Sequence, residues 1–283
     1  MIQLKTRNIS LFFFSLLAAC FLTIKVASAQ EEIKSSDLVL QKQRLAQEIT
    51  NTKNKLIEEL EQYSQDEKQY GISLAQFRKL QTLNSIETAT KIAKKAILSR
   101  NLVLDTYLNL MRLKLVEAEG IEVVHKEKVL NEIENHRQAL VDFEEKVVPI
   151  EDRDNLNLLA TQFLPLGNEI RDTAYYALSL LAVGKLQAVY DQAYAIEQKV
   201  EQKDVSDLSN LEQAERTRAT AEVKKLVTQL PPEFEELWTD LAAVENSHSD
   251  YKRFYRSVFD DLDLIYSQLS RLTAYLEELE QLK

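Results

Sequence analysis

Residues 233–282 read EFEELWTDLAAVENSHSDYKRFYRSVFDDLDLIYSQLSRLTAYLEELEQL. Within them Leu237, Leu241, Val244, His248, Tyr251, Tyr255, Val258, Leu262, Ile265, Leu269, Leu272, Leu276 and Leu279 follow alternating spacings of four and three without a slip. Only His248 interrupts the apolar and aromatic series. A strict seven-residue repeat puts one seam on a helix of about 60 Å, at 1.5 Å per residue, and asks for a partner helix along that seam.

The same spacing recurs upstream in Val129, Ile133, His136, Leu140, Phe143 and Val147, again with one histidine. Ile49, Leu56, Tyr63 and Tyr70 stand seven apart, with Leu38 and Leu45 on the neighbouring row. Between Ile97 and Val116 the apolar residues cover most of a helix circumference, which predicts a central helix or one at an oligomer interface. Four glycines and four prolines in 283 residues leave few places to end a helix, and a strand-rich protein could not be so poor in turns. The breakers divide the chain into helices over about 36–70, 72–119, 121–148, 152–164, 166–203, 207–229 and 233–282. Gly71, Gly120, Pro149 and Pro231-Pro232 mark ends, with the alternative at Gly71 that the first two helices run on as one rod with a local bend, and Ser206 or Asp207 serves as a cap. The expected fold is all-α: an elongated antiparallel helical bundle or coiled coil of about five to seven helices with no β-sheet.

Ahead of this region, residues 1–29 read as a signal peptide. Lys5 and Arg7 give the basic start, Leu11 to Ile24 the apolar run, and Ala27-Ser28-Ala29 a small-residue cleavage site. Residues 30–35 then form a short linker, and 36–283 a single elongated domain. Leu17-Ala18-Ala19-Cys20 also resembles the lipobox of bacterial lipoproteins, which would make Cys20 the lipidation site and anchor the chain to a membrane. Against this, Phe21-Leu22-Thr23-Ile24 continues the apolar run past the cysteine. An uncleaved N-terminal anchor is the remaining option. The expected location is therefore outside the cytoplasm: periplasm, cell envelope or medium. Cys20 is the sole cysteine, so no disulfide framework is available and stability must come from packing.

The chain carries a formal charge of −10, and the leader's three basic residues make the remainder −13, which disfavours nucleic acid as a partner. Charge is uneven. Residues 78–114 sum to +6, whereas 117–154 and 233–283 each sum to −7, so a basic helix is expected to lie between acidic neighbours. Docking of the basic face on an anionic polymer or lipid surface is the functional alternative.

The chain has no phosphate-binding glycine loop, no Gly-x-Ser-x-Gly, no His-Glu-x-x-His and no EF-hand loop, and its only histidines are His125, His136 and His248. No enzymatic activity, small-molecule substrate or cofactor is expected. Glu122-x-x-His125 and Glu245-x-x-His248 carry the spacing that ferritin-like di-iron proteins place on bundle helices. A zinc variant uses the seam histidines, His136 with Glu132 and His248 with Glu245; the bland reading makes each histidine a neutral, hydrogen-bonded residue that fixes register. The most apolar segment is 174–184, too short to span a bilayer; burial with Gly184 allowing close helix approach is expected, and a toxin-like membrane-active role is the alternative. The leading functional expectation is an exported structural or interaction protein that offers long helix faces to a protein partner or to another copy of itself.

Overall fold

The computed structural model describes residues 35–201, 208–247 and 251–282, with only the backbone described for 35–38 and 245–247. Among the described residues there are six helices and no strand: α1 Ser35–Leu80, α2 Leu83–Glu117, α3 Val123–Val147, α4 Arg153–Glu201, α5 Asn210–Ser247 and α6 Tyr251–Gln281. The chain divides between Gln41 and Lys42 into two compact units. The first contributes only the opening turns of α1, where Val39 and Leu40 are exposed. The second holds all the packing described below.

The seams appear where the repeats place them. On α3, Val129, Ile133, Leu140, Phe143 and Val147 are buried. On α6, Val258, Leu262, Ile265, Leu269, Leu272, Leu276 and Leu279 are buried, each stabilising the fold by roughly 1.5–3 kcal/mol. Residues of α2 are buried on several sides, including Val103, Leu108, Met111, Leu113 and Leu115, as expected of a central helix. One pair follows the expected pattern, Lys95 of α2 with Asp66 of α1 at 2.8 Å; toward α3 the signs are reversed, with Asp105 of α2 accepting from Arg137 at 2.8 Å.

Direction follows from which residues meet. Lys42 pairs with Glu119 and Asp66 with Lys95, so α1 and α2 run antiparallel. Asn101 Nδ2 donates to the Leu140 carbonyl at 2.9 Å, Phe143 packs on Phe163, Tyr190 Oη donates to the Val227 carbonyl at 3.1 Å, and Gln268 Nε2 donates to Glu233 at 2.8 Å. Helix α4 contacts all of α2, α3, α5 and α6; α2 and α3 pack on each other, as do α5 and α6. Two groups of three helices therefore share α4.

Four expected boundaries are corrected. The 233–282 segment is not one helix: it is divided between α5 and α6, which pack against each other with 248–250 between them. Pro231 and Pro232 lie inside α5 and Pro165 inside α4, so 152–164 and 166–203 are one helix. Proline removes a donor and crowds the preceding turn, yet Phe163 and Ile170 on α4, and Leu230 and Phe234 on α5, are buried on either side and hold the helices together by tertiary packing. Gly71 ends nothing, since a Cβ there would meet no atom within 4 Å and α1 continues. The break comes ten residues later, where Gln81 adopts φ 49° and its N–H bonds the Phe77 carbonyl at 2.9 Å. Thr82 and Ser85 then cap α2 reciprocally. The cap of α5 is Ser209, whose N–H donates to Glu212 at 2.8 Å; Ser206 and Asp207 lie outside the described residues.

Glycine matters at one close approach. Gly120, at φ +77°, sits so near α4 that a Cβ would lie 2.2 Å from the Gly184 carbonyl oxygen, and a Cβ on Gly184 would lie 2.2 Å from Ile121. The loop between α2 and α3 is thus pressed against the middle of α4. The apolar 174–184 segment is core, as expected: Ala174, Tyr175, Tyr176, Ala177, Leu180 and Val183 are all buried. Tyr175 and Tyr176 meet Tyr255 and Tyr251 of α6, with ring centroids 5.3 and 5.8 Å apart.

Candidate functional site

Of the residues singled out as metal candidates, Glu132 and His136 come together on α3. Each is drawn to the same side chain on α4: His136 Nε2 lies 2.9 Å from Thr173 Oγ1, and Thr173 Oγ1 lies 3.5 Å from Glu132 Oε2. If the threonine hydroxyl donates to the carboxylate, it must accept from the imidazole, which puts the proton on Nε2 and closes that nitrogen to a metal. Burial lowers the His136 pKa, while Glu169 and Glu132 oppose the shift. Thr173 is itself buried. The arrangement matches a neutral polar residue fixing the register of two helices. Among the described residues no group of three or more His, Cys, Asp or Glu side chains converges as a metal would require. Cys20, His248 and the side chain of Glu245 lie outside the described residues.

The third histidine leads to a different feature. Glu122 and His125 stand at the start of α3, with His125 Nε2 4.0 Å from Glu122 Oε2. The imidazole stacks on the indole of Trp238 from α5, centroids 6.0 Å apart and planes 12° from parallel. Around this pair opens a groove of about 760 Å³, formed by the α2–α3 loop and the start of α3, by α4 through Gln187, Tyr190 and Asp191, and by α5 from Pro231 to Ala242.

Its walls are aromatic. Tyr190 meets Phe234 at 5.9 Å between centroids, and both are buried. Burial is also the main cause of the raised Tyr190 pKa, with Tyr194, Asp191 and Glu197 adding to it. The phenol hydroxyl is occupied by the Val227 carbonyl, so the ring is fixed in the wall. Three carboxylates line the same groove, one from each wall: Glu122, Asp191 and Glu235. Gln187 Nε2 donates to Asp191 Oδ1 at 2.9 Å. The lining contains no lysine or arginine. Such a surface favours positive charge, and the part-exposed indole of Trp238 adds attraction for a cation that brings an apolar stem.

Two of these residues, Glu122 and His125, stand in a pattern legible from sequence. Their spacing points to a metal ligand pair, not to a carboxylate and an imidazole in the wall of an aromatic groove. Tyr190, Asp191, Glu235 and Trp238 lie on helices whose pairing had to be known first. The sole signal was Trp238, a single tryptophan beside the α5 seam residue Leu237.

No family model, no curated protein and no solved structure matches the chain.

Proposed function

We propose that this is an exported, non-enzymatic interaction protein, a helical bundle of coiled-coil type that offers long helix faces to a protein partner or to a second copy of itself. The observation that carries the reading is the distribution of apolar side chains. The heptad seams of α3 and α6 are buried within the bundle, yet large apolar residues also stand on outer surfaces: Leu83, Val123, Val124 and Leu211 are each more than 60% exposed. Val123 and Val124 are adjacent at the start of α3, where most of their apolar surface stays in water and is available to a partner. Export rests on the sequence of residues 1–29. The apolar 174–184 segment is used in the core, so a membrane-active role would first require the bundle to open.

The test is the solution mass of the full 32.6 kDa chain over a range of concentrations, with cross-linking in cells at Val123 and Val124. A defined oligomer, or one cross-linked protein lost on Val124→Asp, supports the reading. A monomer at every concentration that cross-links to nothing sinks it.

A further inference from the structure

We propose that the groove beside Trp238 binds an aliphatic oligoamine, a molecule with two or more ammonium groups separated by methylene chains. The inference goes beyond the interaction role above and does not depend on it.

Three observations point to this class. The groove, at about 760 Å³, lies within the range of about 300–1,000 Å³ typical of small-molecule sites. Its carboxylates come from three separate elements: Glu122 at the start of α3, Asp191 on α4 and Glu235 on α5. They do not converge as a divalent metal needs, and no convergent group of three such ligands occurs among the described residues. Dispersed negative charges suit dispersed positive ones. Beside them lies the part-exposed indole of Trp238, backed by the buried rings of Tyr190 and Phe234, a surface on which a methylene spacer buries apolar area and an ammonium group gains cation–π attraction. With no lysine or arginine in the lining, nothing there repels a polycation. A hydrated metal ion gains little from the apolar ring surface, and a neutral chain lacks the charge that would pair with the carboxylates.

Trp238 is the only tryptophan in the chain, so its fluorescence reports on this groove alone. The experiment is a titration of the full chain with spermidine at low salt, followed by tryptophan emission and, in parallel, by calorimetry, which reads binding that leaves the indole undisturbed. A saturable response is expected with a midpoint between about 10 µM and 1 mM, as suits an open, solvated site. The double variant Asp191→Asn, Glu235→Gln should weaken it at least about tenfold. Both positions are exposed, so the helical circular dichroism should not change. Magnesium and 1,8-octanediol should give no comparable response. The proposal is overturned if neither readout saturates below about 10 mM spermidine. It is equally overturned if the double variant binds as well as the parent, or if magnesium or the diol binds equally. Oligolysine binding without spermidine binding would overturn it too, and would assign the groove to a basic peptide.

Discussion

Along α6 the buried stripe is Val258, Leu262, Ile265, Leu269, Leu272, Leu276 and Leu279; along α1 the stripe of the same spacing is Ile49, Thr52, Leu56, Glu59, Asp66 and Ser73, with Tyr63 and Tyr70 half-buried between them. The period is identical and the chemistry is not. Helix α6 is held by removal of apolar surface from water, a force that needs no exact partner. Helix α1 buries apolar side chains at Ile49 and Leu56 but fills the rest of its stripe with polar groups, one of which, Asp66, meets the basic α2 in an ion pair. The Asp66 carboxylate, 4% exposed, pairs with Lys95, whose own side chain is 65% exposed. Arg100 lies over the Phe163 ring at 4.2 Å, and burial lowers its pKa against the opposing influence of Tyr63 and Glu67. Asp66 Oδ2, Glu59 Oε2 and Arg100 Nε and Nη2 are buried with no protein hydrogen-bond partner. A polar seam of this kind specifies where α1 sits but adds less stability, because each ionised group loses hydration that its partners only partly replace.

The largest effect that would test the contrast is on the apolar side. Leu272→Ala, at a fully buried position, should cost about 2–5 kcal/mol by denaturant unfolding, whereas Ser73→Ala on α1 should cost far less. Equal costs would erase the distinction. Next comes the Asp66–Lys95 pair. Lys95→Met leaves a buried carboxylate without its cation and should cost about 1–3 kcal/mol, and adding Asp66→Leu should recover most of that loss or exceed it. A double variant less stable than Lys95→Met alone would mean that the acidic group contributes more than its charge pair.

Salt should separate the two helices more gently. Raising sodium chloride to about 1 M should speed amide exchange in residues 45–77 of α1 and leave residues 258–279 unchanged, because screening weakens ion pairs and not apolar burial. The smallest effect belongs to His136, whose neutral form the fold favours. Its folded pKa lies below the unfolded 6.5, so the unfolded chain takes up the proton first. The stability tied to this residue is complete above about pH 6.5 and declines as pH falls below it. Between about pH 7.5 and 5.5, His136→Gln should lose less stability than the parent; an identical loss would remove the histidine as a contributor.

The seams could be read from sequence because burial on one helix face leaves a period, and a period survives whatever the partner is. The reversal after α5 could not, since Val244, His248, Tyr251 and Tyr255 keep the four-three spacing across it and the repeat shows no slip where the chain turns back. Prolines misled for a related reason: their local cost at 165, 231 and 232 is outweighed by buried neighbours contributed from elsewhere in the fold. The end of α1 was hidden because Gln81, a residue that seldom adopts positive φ, takes the place glycine usually fills. The groove left almost no trace, being assembled from three stretches whose only shared property is that they meet.

Helix α4 gives the two three-helix groups no way to melt separately. Thr173 belongs to the α3 contact and Tyr175 and Tyr176 to the α6 contact, so the same helical turn is stitched into both. Loss of either group strips one side of a helix that the other group needs intact. The chain from α2 onward should therefore behave as one cooperative unit, and a point lesion near one end should be felt as weaker protection at the other.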